Sequence, residues 1–401
     1  MGRALREFWT NLRDLPASMT LSTWTAGLLI VLVGFTGSLV VVVPAAEAAG
    51  MTAAQLSSWV WAITISSGVA SVLLSLWYRM PVLTAWSTPG LVLLAGSLAQ
   101  YRLGEAVGAY LIVGAVVTLL GLSGLFERVV AVLPQPVAYA VLGGLLLKYG
   151  LALISGITLD PLLILTILAV FFLLRRLGFK VPIAGGLLAG FIAAFFSGRL
   201  ALEGITLEPA APVLILPEFT LRALVGLALP LLILALASQH LPGFAVMRAA
   251  GYTPPVRGAL AVTGIISMLT APLLNHGITL AAITAAIGAG PEAHPDRTRR
   301  YAAAVTAGAI KIGLGLFGVT IVALLTALPK PVVTAVAGLA LSGTIAQSLE
   351  GAFKEPASRE AALWALLVTA ADTAFFGIGS AFWGFVVGVA VSRLLVPRTR
   401  H

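Results

Sequence analysis

The chain contains no cysteine, which excludes disulfides, thiolate metal sites and a cysteine nucleophile. Charge is nearly as scarce: 10% of residues are charged against 59% apolar, and the mean hydropathy is +1.05. Soluble domains carry roughly 25% charged residues, so this composition excludes a water-borne fold and requires a polytopic membrane protein. The signatures of catalysis are missing too, with no HExxH, no GxSxG elbow and no P-loop. An enzyme, a resident metal, a cofactor and ATP-driven pumping by this chain alone are therefore not expected. A net charge of +9 could suit nucleic acid, but the basic residues are scattered between apolar runs and form no patch.

What is present is a succession of apolar runs. A window of about 19 residues predicts fourteen spans. They fall near 23–43, 55–77, 80–97, 104–125, 136–155, 160–175 and 182–198, then near 220–240, 255–271, 272–289, 300–326, 331–349, 359–372 and 374–395. The first run is too long for a cleavable signal, so insertion through it is expected. If the N-terminus is cytoplasmic, Arg102, Arg199, Arg222 and Lys330 lie outside and Lys148 and Lys311 lie within spans. The rest of the 24 Lys and Arg then fall inside, which satisfies the positive-inside bias. Both termini are predicted to be cytoplasmic, in the inner membrane.

The chain also repeats itself. LPQPVAYAVLGGLLL at 133–147 and LPKPVVTAVAGLALS at 328–342 match without a gap at an offset of 195, with eight of fifteen positions identical. An offset near half the chain length points to duplication, and seven spans per half would make the second copy enter the membrane from the opposite side. The predicted fold is an all-α polytopic protein of 14 transmembrane segments in two inverted repeats, residues 1–200 and 201–401.

Two spans break the helical pattern at corresponding places. MPVLTAWSTPGLVLLAGS at 80–97 and APLLNHGITLAAITAAIGAG at 271–290 each open on a proline and carry polar residues at membrane depth. Irregular backbone there costs several kcal/mol per unsatisfied group, of order 2–7, unless it is buried in protein or lines a cavity. Such paired breaks mark the binding site of a secondary transporter. If Pro81–Trp86 and Pro272–His276 run extended and antiparallel, the half-helices starting at Ser87–Gly90 and Gly277–Leu280 would turn free N–H groups and positive dipole ends toward an anion.

Histidine is rare, and two of the four fall at this depth: His276 in the second break and His240 at the end of the eighth span. Both are candidates to carry a coupling proton, His276 ahead of His240, against the alternative of a neutral histidine bonded between helices. Gln239 and Asn275 flank the same place and could equally join helices. Lys148 reads best as structural, and Lys311 stays open between snorkelling, a carbonyl contact and attraction for an anion. Glu47, Glu105, Asp160 and Asp372 map near the outer ends of spans, which weakens a carboxylate as proton carrier.

MPVLTAWSTPG, SQHLPGFAVMRAAGY, APLLNHGITLAAITAAIGAGPEAHPDRTRRY and FFGIGSAFWGFVVG, in this order, resemble the benzoate/proton symporters of the BenE type over most of the chain. That family is similar to the seven-plus-seven inverted-repeat carriers of nucleobases and sulfate. The resemblance implies a core domain from spans 1–4 and 8–11 and a gate domain from spans 5–7 and 12–14, with substrate between them. Carried over by position, it places Thr36, Gly37, Ser38, Ser87, Thr88, Gln239, His240, Asn275, His276, Gly277 and Thr279 around the site. The chain departs from the family pattern at Leu274, Asn275, Thr279 and Lys311. The implied function is proton-coupled uptake of benzoate or a similar small aromatic carboxylate by alternating access. An uncoupled anion channel or exchanger, a carrier of another small anion or a nucleobase, and a scaffold with a vestigial transport fold are the alternatives. The implied partners are substrate, protons and lipid, and fold relatives make a homodimer plausible.

Overall fold

The computed structural model describes residues 2–200, 207–281, 283–376 and 378–395. In the first half, helices α1 (Gly2–Ser18), α2 (Leu21–Ala48) and α3 (Ala53–Tyr78) lead into strand β1 (Thr84–Trp86) and helix α4 (Thr88–Ser97). Helices α5 (Leu103–Ser123), α6 (Phe126–Val132), α7 (Gln135–Gly156), α8 (Pro161–Arg176) and α9 (Pro182–Phe196) complete it. The second half runs through α10 (Leu221–Ala249), α11 (Val256–Thr270), β2 (Ile278–Leu280), α12 (Ile283–Ala289) and α13 (Tyr301–Leu316). It ends with α14 (Gly318–Thr326), α15 (Lys330–Phe353), α16 (Arg359–Ala370) and α17 (Ser380–Leu395).

Local chemistry sets the helix ends. Thr20 and Thr52 open α2 and α3 with reciprocal capping boxes to Thr23 and Gln55. Asp160 caps α8 through the Leu163 amide, and its other carboxylate oxygen takes Arg199 as an ion-pair partner. Gly124, at φ +70°, closes α5 in the left-handed conformation. Among the described residues, six helices are long and apolar enough to cross a membrane unaided, and up to eight do so if two bent pairs count as one span each. One bend, of 105°, turns α1 away from α2, and the other, of 75°, separates α13 from α14 at Phe317. The run expected as one span over 300–326 is thus broken. The run expected at 374–395 begins as helix only at Ser380, after a Phe375–Ile378 bridge.

At the centre, β1 and β2 pair antiparallel with Thr84 opposite Leu280, Ala85 opposite Thr279 and Trp86 opposite Ile278. A strand plus half-helix therefore stands at each break, but the second lies further along the chain than the sequence suggested. Ala271–Leu273 continues α11 as a 3₁₀ turn, Leu274 reverses the chain at φ +74°, and β2 starts at Ile278. Pro272 sits in this last turn, where its missing N–H and fixed φ help to end the helix, while Ile278 and Thr279 are β-branched and suit a strand. Gly277–Leu280 consequently forms no helix N-terminus, since the second half-helix begins at Ile283.

Backbone groups on the outer edges of this short pair need partners, and the two halves supply them in the same way. The Thr84 amide donates to Ser71 Oγ (3.0 Å) and the Ile278 amide to Ser267 Oγ (2.9 Å). Each serine in turn donates one helical turn back, to the carbonyls of Ser67 and Thr263. The helices that carry these serines are clamped by close glycine crossings. A Cβ on Gly68 of α3 would stand 2.6 Å from the Gly308 carbonyl of α13, and one on Gly264 of α11 would stand 2.7 Å from the Gly114 carbonyl of α5. No larger residue permits either approach. Elsewhere α7 packs along α15, α8 against α9 and α16 against α17.

Candidate functional site

A narrow cavity of about 330 Å³, its mouth included, opens beside the strand pair. Val113, Gly114 and Val117 of α5 form one wall, and Leu231, Ala235 and His240 of α10 form another. Ser87, Ser267 and the segment His276–Thr279 supply its polar surface. The closed interior is only about 10 Å³, room for about one water, so the walls must part before a ring can enter; an apolar wall with a few convergent polar groups is the lining of a small-ligand site.

The two histidines differ in what holds them. His276 is buried, Trp59 Nε1 donates to its Nδ1 at 3.0 Å, and its Nε2 lies 3.1 Å from the Ser87 carbonyl. An indole N–H can only donate and a carbonyl can only accept, so the proton of this ring sits on Nε2 and the imidazole is neutral. The edge of Trp59 against the ring, with centroids 5.7 Å apart, fixes its plane. His240 is fully buried, and neither ring nitrogen has a hydrogen-bond partner. It stacks on Phe244 and ends a π-helical turn, Leu236–His240, that precedes Pro242. A proline cannot donate to the carbonyl four residues back and would clash with it, and the wider π turn relieves that conflict.

The remaining expected residues divide. Ser87, Gly277 and Thr279 line the cavity with the histidines. Ser87 is also the N-cap of α4, its Oγ accepting from the Gly90 amide, and Gly277 uses φ +123° to turn into β2. Asn275 is occupied within its own turn, donating to Thr270 Oγ1 at 2.6 Å and accepting from the Gly277 amide at 3.0 Å. Thr88 and Gln239 are half-buried and do not line the cavity. The side chains of Thr36, Gly37 and Ser38 lie outside the described residues. Lys148 pairs with Asp372 at 2.9 Å, in keeping with a structural role, whereas Lys311 is buried and donates to the Thr84 carbonyl at 2.7 Å. Among the described residues no group of three or more metal-binding side chains is found.

Trp59, Ser267 and the α5 wall were not anticipated. Trp59 left one signal, an indole N–H inside an apolar span that must find an acceptor. Ser267 left little, because single serines are common in membrane helices and usually bond to their own backbone.

Residues 17–394 match the family described as benzoate membrane transport protein. The chain belongs to that family. It is 38% identical over 382 residues to the inner membrane protein YdcO of Escherichia coli, covering 94% of this chain and 98% of that one. With the benzoate membrane transport protein of Acinetobacter baylyi it shares 34% identity over 390 residues, covering 97% and 99%. In fold it is similar to the transmembrane domain of a cyanobacterial bicarbonate transporter, BicA, with a TM-score of 0.58 at 14% identity over 94% of this chain and 97% of that one. It is also similar to SLC26A9, with a TM-score of 0.61 at 15% identity over 93% and 65%. Family membership makes this chain a multi-pass membrane transporter and not an enzyme.

Proposed function

We propose that this transporter takes up benzoate or a closely similar aromatic carboxylate together with a proton, by alternating access. The observation that carries the reading is His240: a fully buried imidazole with both nitrogens unpartnered, on the wall of a cavity that also holds the hydroxyls of Ser87, Ser267 and Thr279. Leaving such a group unsatisfied costs roughly 1–3 kcal/mol, which a ligand that supplies the missing bonds returns. A carboxylic acid titrates near about 4, so the substrate arrives as an anion at neutral pH. A proton taken up by His240 as the carboxylate binds makes the pair neutral and bonded, which lowers the cost of carrying it through the membrane. His276 is the weaker proton carrier, because protonating Nδ1 breaks its bond from Trp59. The apolar wall from α5 and α10 receives the ring.

Alternating access rests on a proposed division into a core, α2–α5 with α10–α14, and a gate, α7–α9 with α15–α17. It rests further on fourteen crossings in two inverted repeats with both termini cytoplasmic. The pairing supports this division. α3 crosses α13 as α11 crosses α5, and Gly68 and Gly114 stand 196 and 194 residues before their counterparts Gly264 and Gly308. The serine ties follow the same offsets, Ser71 to Ser267 and Thr84 to Ile278. Fold neighbours named as bicarbonate and anion transporters agree with an anionic substrate.

The test is uptake of labelled benzoate into proteoliposomes under an inward proton gradient. Accumulation that collapses with a protonophore is expected. Counterflow of benzoate without any response to the gradient would instead identify an exchanger and end the coupling claim.

A further inference from the structure

Lys311 has no part in the mechanism above, yet it is among the most costly residues in the chain. It projects from α13 into the core with 3% of its surface exposed. Its ammonium donates to the carbonyl of Thr84 on β1, and among the described residues no carboxylate pairs with it. Ile30, Val31, Leu83, Ala304 and Ala307 form an apolar cluster around this edge of the strand. A charge in such surroundings is weakly screened and costly when its partner is missing.

Its position relative to the cavity is defined by the strand pair. Thr84 is the residue before Ala85, and Ala85 lies opposite Thr279, which lines the cavity. The ammonium therefore stands at the β1 edge of the pair, while the cavity is lined by Gly277–Thr279 of the β2 side and by Ser87, which follows β1. The repeat offset sharpens this relation. Counterparts 194 residues apart take Thr84 to Ile278 and Val117 to Lys311. Val117 and Ile278 both line the cavity. The image of the Lys311–Thr84 contact in the other half is thus the cavity wall itself, so one of two matching places is filled by a cation and the other is left open.

We propose that Lys311 is the fixed counter-charge of the substrate site, a positioning residue that selects carboxylates over neutral isosteres without touching them. The proposal rests on the carboxylate reading given above. The core then carries a fixed positive charge whether empty or loaded, since the proton on His240 balances the carboxylate, and the field of Lys311 favours an anionic ligand over a neutral one. The carbonyl of Thr84 holds the ammonium in place, and the dry packing around it keeps the field from being screened.

The experiment is a binding titration of the full chain in detergent with benzoate and with benzamide, its neutral isostere, for the wild type, K311M and K311R. The wild type should prefer benzoate. K311M should weaken benzoate about tenfold or more, the size of effect expected for a charge acting at medium range in protein, and change benzamide less than about twofold. K311R should keep the preference. A K311M protein that binds benzoate as the wild type does, or loses both ligands equally, overturns the proposal. If K311M does not yield a monodisperse protein, K311R decides, since loss of its benzoate preference is then the overturning result. A wild type that binds neither ligand would fail the carboxylate reading instead and leave a different signature.

Discussion

His240 and His276 share a cavity and a residue type, and their hydrogen bonds separate them. A ring bonded at both nitrogens is a structural strut, and a buried ring bonded at neither is an unfinished site. This distinction gives a paired prediction. H240Q should lower benzoate uptake about tenfold or more, the worth of a hydrogen bond to a charged group, and remove the pH dependence of binding. W59F strands His276 Nδ1 and should lower stability by about 1–3 kcal/mol while leaving a pH-dependent site in place. Wild-type pH dependence in H240Q would show that the proton binds elsewhere. The histidines were legible in the sequence because ionisable groups are rare at membrane depth. Their difference was not, because the partner of His276 is an indole 217 residues away on another helix.

At the scale of elements, proline marked both breaks correctly, since Pro81 and Pro272 each end regular helix nearby. The register of the strands was hidden, because a proline tolerated in a 3₁₀ turn looks in sequence like one that starts an extended segment. The half-helix N-terminus expected at Gly277–Leu280 was lost to that shift. The serine ties make the strands testable. S71A and S267A each leave a buried strand amide without an acceptor and should each cost about 1–3 kcal/mol, read as a lower melting temperature in detergent. S267A should also depress benzoate uptake, because Ser267 lines the cavity, while S71A should spare uptake in the folded fraction. Equal loss of uptake in both would mean that the ties act only through the strands.

For the whole molecule, a mostly helical polytopic membrane protein was readable from hydropathy, whereas the bends at Ser18–Leu21 and Phe317 depend on packing that no window of apolar residues reports. The absence of cysteine makes topology directly measurable. Lys330 and Lys354 are exposed at the two ends of α15. K330C should react with a membrane-impermeant maleimide from outside intact cells, and K354C only after permeabilisation; the reverse pattern would invert the orientation. The strand pair has a further consequence, for how the protein is made. Ile278 follows Thr84 by 194 residues, so at 5–20 residues per second β1 leaves the ribosome roughly 10–40 s before its partner exists. Through that interval the amides and carbonyls of β1 that β2 will take are unpaired at membrane depth, and the glycines of α3 and α5 await helices not yet synthesised. Until then the polar backbone of the first half must be shielded by something other than its partner, and the core closes only once the second half has been made as far as Gly308.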